Sequence, residues 1–131
     1  MSKIISAINV MISNAERISH IRPYKHMYFF LYEKKHKWTI FQQHDAFHDQ
    51  DDYILWYLPG DETIEEMISL LQSSAWNEYD RLIIYTSQEL KTREARESMQ
   101  ELYTVVKEKA YNVDQSLDEI INGDPYNEMK K

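Results

Sequence analysis

The chain has 131 residues, of which 43% are hydrophobic and 28% charged, and it carries a net charge of −7. That length suits one domain with a real core, and three Trp, ten Tyr and four Phe argue against a disordered chain. The acidic balance argues against tracking a phosphate backbone. The absence of cysteine removes disulfides, thiolate nucleophiles and thiolate metal sites.

Gly60 and Gly123 are the only glycines, too few for the loops that cradle phosphates or dinucleotides. No apolar run approaches the length of a bilayer span. Ser6, Asn9, Ser13 and Asn14 interrupt any signal-like run at the start. A cytoplasmic protein is expected, with no membrane, no nucleic acid and no cofactor. Residues 1–123 are read as a single α+β domain and 124–131 as a flexible tail.

Ile4, Ile8, Met11, Ala15 and Ile18 recur at helical spacing and predict a first helix from about Lys3 to His20. Ser2 is its N-cap, and Pro23 stops it. Strands follow at Lys25–Tyr32 and Lys37–Gln43, joined by a polar turn at Glu33–His36. In Met27–Tyr32 both parities are apolar, which predicts a central strand covered on both faces. After His44–Asp52, read as an acidic loop, comes a third strand, Tyr53–Leu58, stopped by Pro59-Gly60. Trp38 and Trp56 lie on adjacent strands, where they could meet in the core.

Asp61 is expected to cap a second helix from Glu62 to about Ser74. Trp76–Tyr79 connects it to a fourth strand, Arg81–Thr86. A long third helix is predicted from about Gln88 to Ala110 and a short last one after Asn112, whose face is Leu117, Ile120 and Ile121. The resulting order is α-β-β-β-α-β-α-α. A right-handed crossover would set the fourth strand parallel to the third. The expected fold is therefore α+β, a four-stranded mixed sheet in the order 3-2-1-4 with Met27–Tyr32 in its middle. Helices, or a second subunit, would cover its faces.

Part of that order resembles the restriction-endonuclease-like nucleases. Their chemistry needs an acid near the second strand and a Glu/Asp-x-Lys on the third to hold a metal. Tyr53–Leu58 has neither acid nor lysine, and Glu33-Lys34-Lys35 falls in a turn. In shape and charge the chain is also similar to type III secretion chaperones, which usually add a fifth strand.

The segment His44-Asp45-Ala46-Phe47-His48-Asp49-Gln50-Asp51-Asp52 concentrates the chain's recognisable chemistry. His44 and His48 have the spacing of zinc ligands on a helix, but a loop without the glutamate of the catalytic pattern reads better as a solvated contact surface. Asp45, Asp49, Asp51 and Asp52 are expected to steer a basic partner, and Trp76 and Tyr79 to anchor it. The function expected is a non-enzymatic protein-binding module: an inhibitor or immunity protein, or a chaperone or adaptor, for a basic protein. The alternatives are a metal-dependent hydrolase or nuclease-like protein using His44–Asp52, and a structural homodimer.

Overall fold

The computed structural model describes residues 2–123, so the tail expected at 124–131 lies outside them. Helix α1 (Lys3–Ser13) opens on Ser2, whose hydroxyl accepts from the Ile5 N–H at 3.3 Å. It buries Ile5, Ile8 and Met11, but it ends well short of His20. Asn14 turns both its backbone N–H and its side-chain amide onto the Val10 carbonyl, at 3.0 and 2.9 Å. These bonds satisfy the last turn and release the chain. After a single 3-10 turn, Ala15–Arg17, the next segment is strand β1 (Ile18–Tyr24). Ile18 fits the helical stripe and a β-branched strand equally well, so spacing alone could not separate the two.

The remaining strands are β2 (Met27–Tyr32), β3 (His36–Asp45), β4 (Gln50–Leu58) and β5 (Ile83–Thr86). All five form one sheet in the order β1-β2-β3-β4-β5, with every neighbouring pair antiparallel. This overturns the expected four-stranded mixed sheet in the order 3-2-1-4. The place reserved beside Met27–Tyr32 for the last strand is taken by β1. The crossover is also absent. The chain leaves β4 at Leu58, passes through helix α2 (Ile64–Leu71) and the 3-10 segment Ser74–Glu78, and returns with Ile83 opposite Tyr57. A connection that comes back to the end it left makes an antiparallel neighbour. The handedness rule applies only where the connection crosses the sheet.

Helix α2 starts later than Asp61 predicts. Thr63 is its cap, in a reciprocal box: the Thr63 hydroxyl accepts from the Glu66 N–H and the Glu66 carboxylate from the Thr63 N–H. The long third helix is broken into α3 (Ser87–Leu90) and α4 (Arg93–Ala110). Lys91 takes a left-handed φ of 61° between them, and Thr92 caps α4. Helix α5 (Val113–Asn122) follows and buries none of its residues.

The sheet is covered on both faces. Tyr28, Phe30 and Tyr32 of β2 meet Ile18, Ile40 and Leu55 beneath α1 and α4, which add Ile8, Met99, Leu102 and Val106. Met27 and Phe29 pack with Phe41 and Leu58 against Ile64 and Met67 of α2. Phe29 and Phe30 are fully enclosed, each contributing about 1.5–3 kcal/mol of transfer free energy. The double burial of this stretch is thus present, although β3 rather than β2 is the middle strand. Trp38 and Trp56 do not meet. Trp38 stands opposite Tyr57 and Trp56 opposite Thr39, which puts the two indoles on opposite faces.

Candidate functional site

The β3–β4 hairpin is longer than its apolar pattern suggests. His44 pairs with Asp51 and Asp45 with Gln50, leaving only residues 46–49 as the turn. Most of the expected acidic loop is therefore strand. Its polar composition hid this, because the end of the hairpin is largely exposed and has no apolar face to bury.

Asp45 builds the turn. Its Oδ1 accepts from the N–H groups of Phe47 and His48, at 3.0 and 3.3 Å, and its Oδ2 lies 2.6 Å from His48 Nδ1. This is a side chain standing in for a backbone turn partner. Bonding to His48, reinforced by the two backbone N–H groups, holds the Asp45 carboxyl below its ordinary value. Asp49 completes the turn in a left-handed conformation with φ 49°, which Asp tolerates better than most residues.

The turn holds Phe47 out in solvent at 91% exposure, with its ring edge against His48. Beside it, His44 Nδ1 lies 3.1 Å from Asp51 and its Nε2 lies 3.7 Å from Asp49. Asp45, Asp49 and Asp51 are thus gathered at the tip as the sequence suggested, each beside a histidine. Phe47 was not singled out from the sequence. The available signal was one large aromatic within a run of polar residues.

Asp52 belongs elsewhere. It is only 8% exposed and accepts from Arg96 Nη2 at 3.0 Å. The Ser87 hydroxyl lies 3.4 Å from the same Asp52 oxygen and accepts from the Tyr53 N–H at 3.0 Å. Arg96 also donates to the Asp51 carbonyl. This network ties the base of the hairpin to α3 and α4 and leaves Asp52 no free face toward a partner.

Trp76 and Tyr79 come together, but away from the tip. Trp76 stacks on Trp56 with ring centroids 5.5 Å apart, Tyr79 stacks on Trp76 at 5.5 Å, and the Arg81 guanidinium lies over Tyr79. Trp56 is five residues along β4 from Asp51, about 17 Å at 3.4 Å per residue. Both side chains are half-buried, and the column they form covers the α2 face of the sheet. Burial, with the Glu62 charge second, pushes the Tyr79 phenol up.

No family model, curated protein or solved structure matches the chain. Among the described residues no group of three His, Asp or Glu side chains is arranged to hold a metal ion. His44 turns to Asp49 and Asp51, while His48 turns to Asp45. No helix among them is long and apolar enough to cross a membrane. Two of the other perturbed groups, Tyr28 and Tyr53, meet at the ring of Tyr103. Tyr28 and Tyr53 are raised chiefly by burial, and Glu66 is lowered by its capping bonds to Thr63.

Proposed function

We propose that this chain is a small acidic, non-enzymatic protein-binding module that presents the β3–β4 hairpin tip to a basic partner. The observation that supports this reading is Phe47, held 91% exposed on a turn built by Asp45. Burying such a ring contributes about 1.5–3 kcal/mol, so a partner with an apolar pocket gains a ready anchor on a pre-organised loop. Asp49 and Asp51 are exposed beside it and supply the steering charge. An inhibitor or immunity protein, or a chaperone or adaptor, in a reducing cytoplasm fits a chain without cysteine.

Affinity capture from the native cell, followed by titration of the captured protein, tests this reading. Phe47→Ala should weaken binding at least about tenfold, or 1.4 kcal/mol, with an unchanged Tm. Replacing Asp49 and Asp51 together by Asn should slow association and flatten its salt dependence. Binding indifferent to both changes would overturn the proposal. A second reading, a homodimer joined through α5, is favoured by the exposure of Leu117 and Ile120. Light scattering across a range of concentrations tests it.

A further inference from the structure

A cleft of ≈ 480 Å³ opens between the β3–β4 hairpin, at His48 and Gln50, and the junction of α3 and α4. Small-molecule sites span about 300–1,000 Å³. The chain carries 22 Asp and Glu against 15 Lys and Arg, yet no carboxylate lines this cleft among the described residues. Three cations do: Lys91, Arg93 and Arg96. The wall is thus opposite in sign to the chain as a whole, and it is built from side chains of two separate parts of the fold.

The donors differ in how far they are already used. Arg96 is pinned, with Nη2 on the Asp52 carboxylate at 3.0 Å and Nη1 on the Asp51 carbonyl. Asp52, the acid nearest in this network, is therefore already neutralised. Arg93 reaches only Glu97, in a pair whose side chains are 91% and 62% exposed, and such a pair yields readily to a stronger anion. The side chains of Lys91, Gln50 and Gln88 make no hydrogen bond or ion pair among the described residues. The Thr92 hydroxyl accepts from the Ala95 N–H at 3.0 Å, which leaves its proton to donate. Lys91 also holds a left-handed φ of 61°, where glycine is at ease and a side chain is not. What lysine adds at that position is a positive charge on the cleft.

We propose that this cleft binds the phosphate group of a small phosphomonoester. Arg93 bonds two phosphate oxygens with parallel N–H groups, and Lys91 adds a point charge. Gln50, Gln88 and Thr92 donate to the oxygens that remain. The cleft is larger than a bare phosphate, so the esterified group has room inside it. A carboxylate ligand brings one charge and two oxygens, and would leave several of these donors unused. This site is independent of the reading given to Phe47.

The full-length, ¹⁵N-labelled chain reports the outcome through the side-chain amides of Gln50 and Gln88 and the backbone amides of Lys91 and Arg93. The probes are glycerol 3-phosphate, inorganic phosphate, acetate, glycerol and a phosphoserine peptide, all at one ionic strength set with sodium chloride. Glycerol 3-phosphate should move these signals to saturation and bind at least tenfold more tightly than acetate, while glycerol moves nothing. Lys91→Gly and Arg93→Gln, both at exposed positions, should each weaken it about tenfold at a Tm no lower than the parent's. Phe47→Ala should leave it unchanged. Shifts that follow ionic strength alone, or affinity indifferent to both cleft variants, would overturn the proposal. So would binding of inorganic phosphate without glycerol 3-phosphate, which would mark an adventitious ion only. A phosphoserine peptide that binds tenfold more tightly than glycerol 3-phosphate would refute the small-molecule assignment.

Discussion

Thr39 carries a hydroxyl that the core gives no partner. It is fully buried on the middle strand, between Phe29 of β2 and Trp56 of β4, and its Oγ1 has no hydrogen-bond partner among the described residues. Thr39→Val keeps the shape and removes the unpaired group. It should stabilise the fold by about 1 kcal/mol, read as a higher urea midpoint at constant m-value; a lower midpoint would refute the account. Asp52 predicts the opposite. Removing its carboxylate in Asp52→Ala strands the Arg96 guanidinium, whose side chain is 30% exposed. The loss should be about 2 kcal/mol, less than for a fully enclosed pair. At Asp45 the sign follows from a depressed folded-state carboxyl. Its contribution is complete above the unfolded carboxylate value and is lost as pH falls through the lower folded value. Amide signals of Phe47 and His48 should therefore keep their positions as other carboxylates titrate, and move only in more acid solution.

Among the elements, the junction of α3 and α4 is the place to intervene. Lys91 holds a left-handed φ of 61°, a conformation that costs a side-chain-bearing residue about 1–2 kcal/mol and glycine little. Lys91→Gly should raise stability by about 1 kcal/mol, after glycine's greater unfolded-state entropy is offset. An unchanged or lower Tm would count against it. None of the seven left-handed residues among those described is a glycine, and this explains why the turns were hard to read. Glu33 and Lys34 turn the β2–β3 hairpin at φ 54° and 58° without an Asn-Gly signature. Met27–Tyr32 and Tyr53–Leu58 were legible because both faces of each are packed. The α+β class and the helices around Ile8, Met67 and Leu102 were legible from their stripes. What stayed hidden had no distinctive periodicity. Ile18 satisfied two periods at once, the hairpin tip buries no apolar face, and Lys91 breaks a helix with an ordinary helix former. At the candidate site, sequence placed the carboxylates together but could not show that Asp52 turns inward or that Phe47 turns out.

Across the whole molecule, the exposed ion pairs contribute little to holding the fold. Arg17–Glu33, Arg22–Glu65 and Arg93–Glu97 are surface pairs with both partners half exposed or more, worth about 0–1 kcal/mol each. Raising salt well beyond physiological strength should leave the urea midpoint almost unchanged while slowing the association proposed at the hairpin tip. A midpoint that falls steeply with salt would show that these pairs carry stability after all. Sheet edges are blunted by shape instead. Strand β1 has Pro23 and an irregular register between Ser19 and Arg22, and β5 has four residues, which discourages edge-to-edge growth.

Because each strand pairs only with its neighbour in sequence, β1 to β4 assemble through short turns, and only β5 must close a longer connection, residues 59–82. The distant meeting is α1 on α4, marked by the Ser98 hydroxyl donating to the Asn9 side chain at 2.8 Å across 89 residues. Docking of α1 is then a late event in folding. Ile8→Val should speed unfolding and leave refolding nearly untouched, whereas Phe30→Leu should slow refolding; stopped-flow chevrons that reverse this order would reject it. On the ribosome the consequence is a delay. The first helix to be synthesised is completed late: Ile8 and Met11 can meet the first strands early, but their partners Met99, Leu102 and Val106 arrive only with α4.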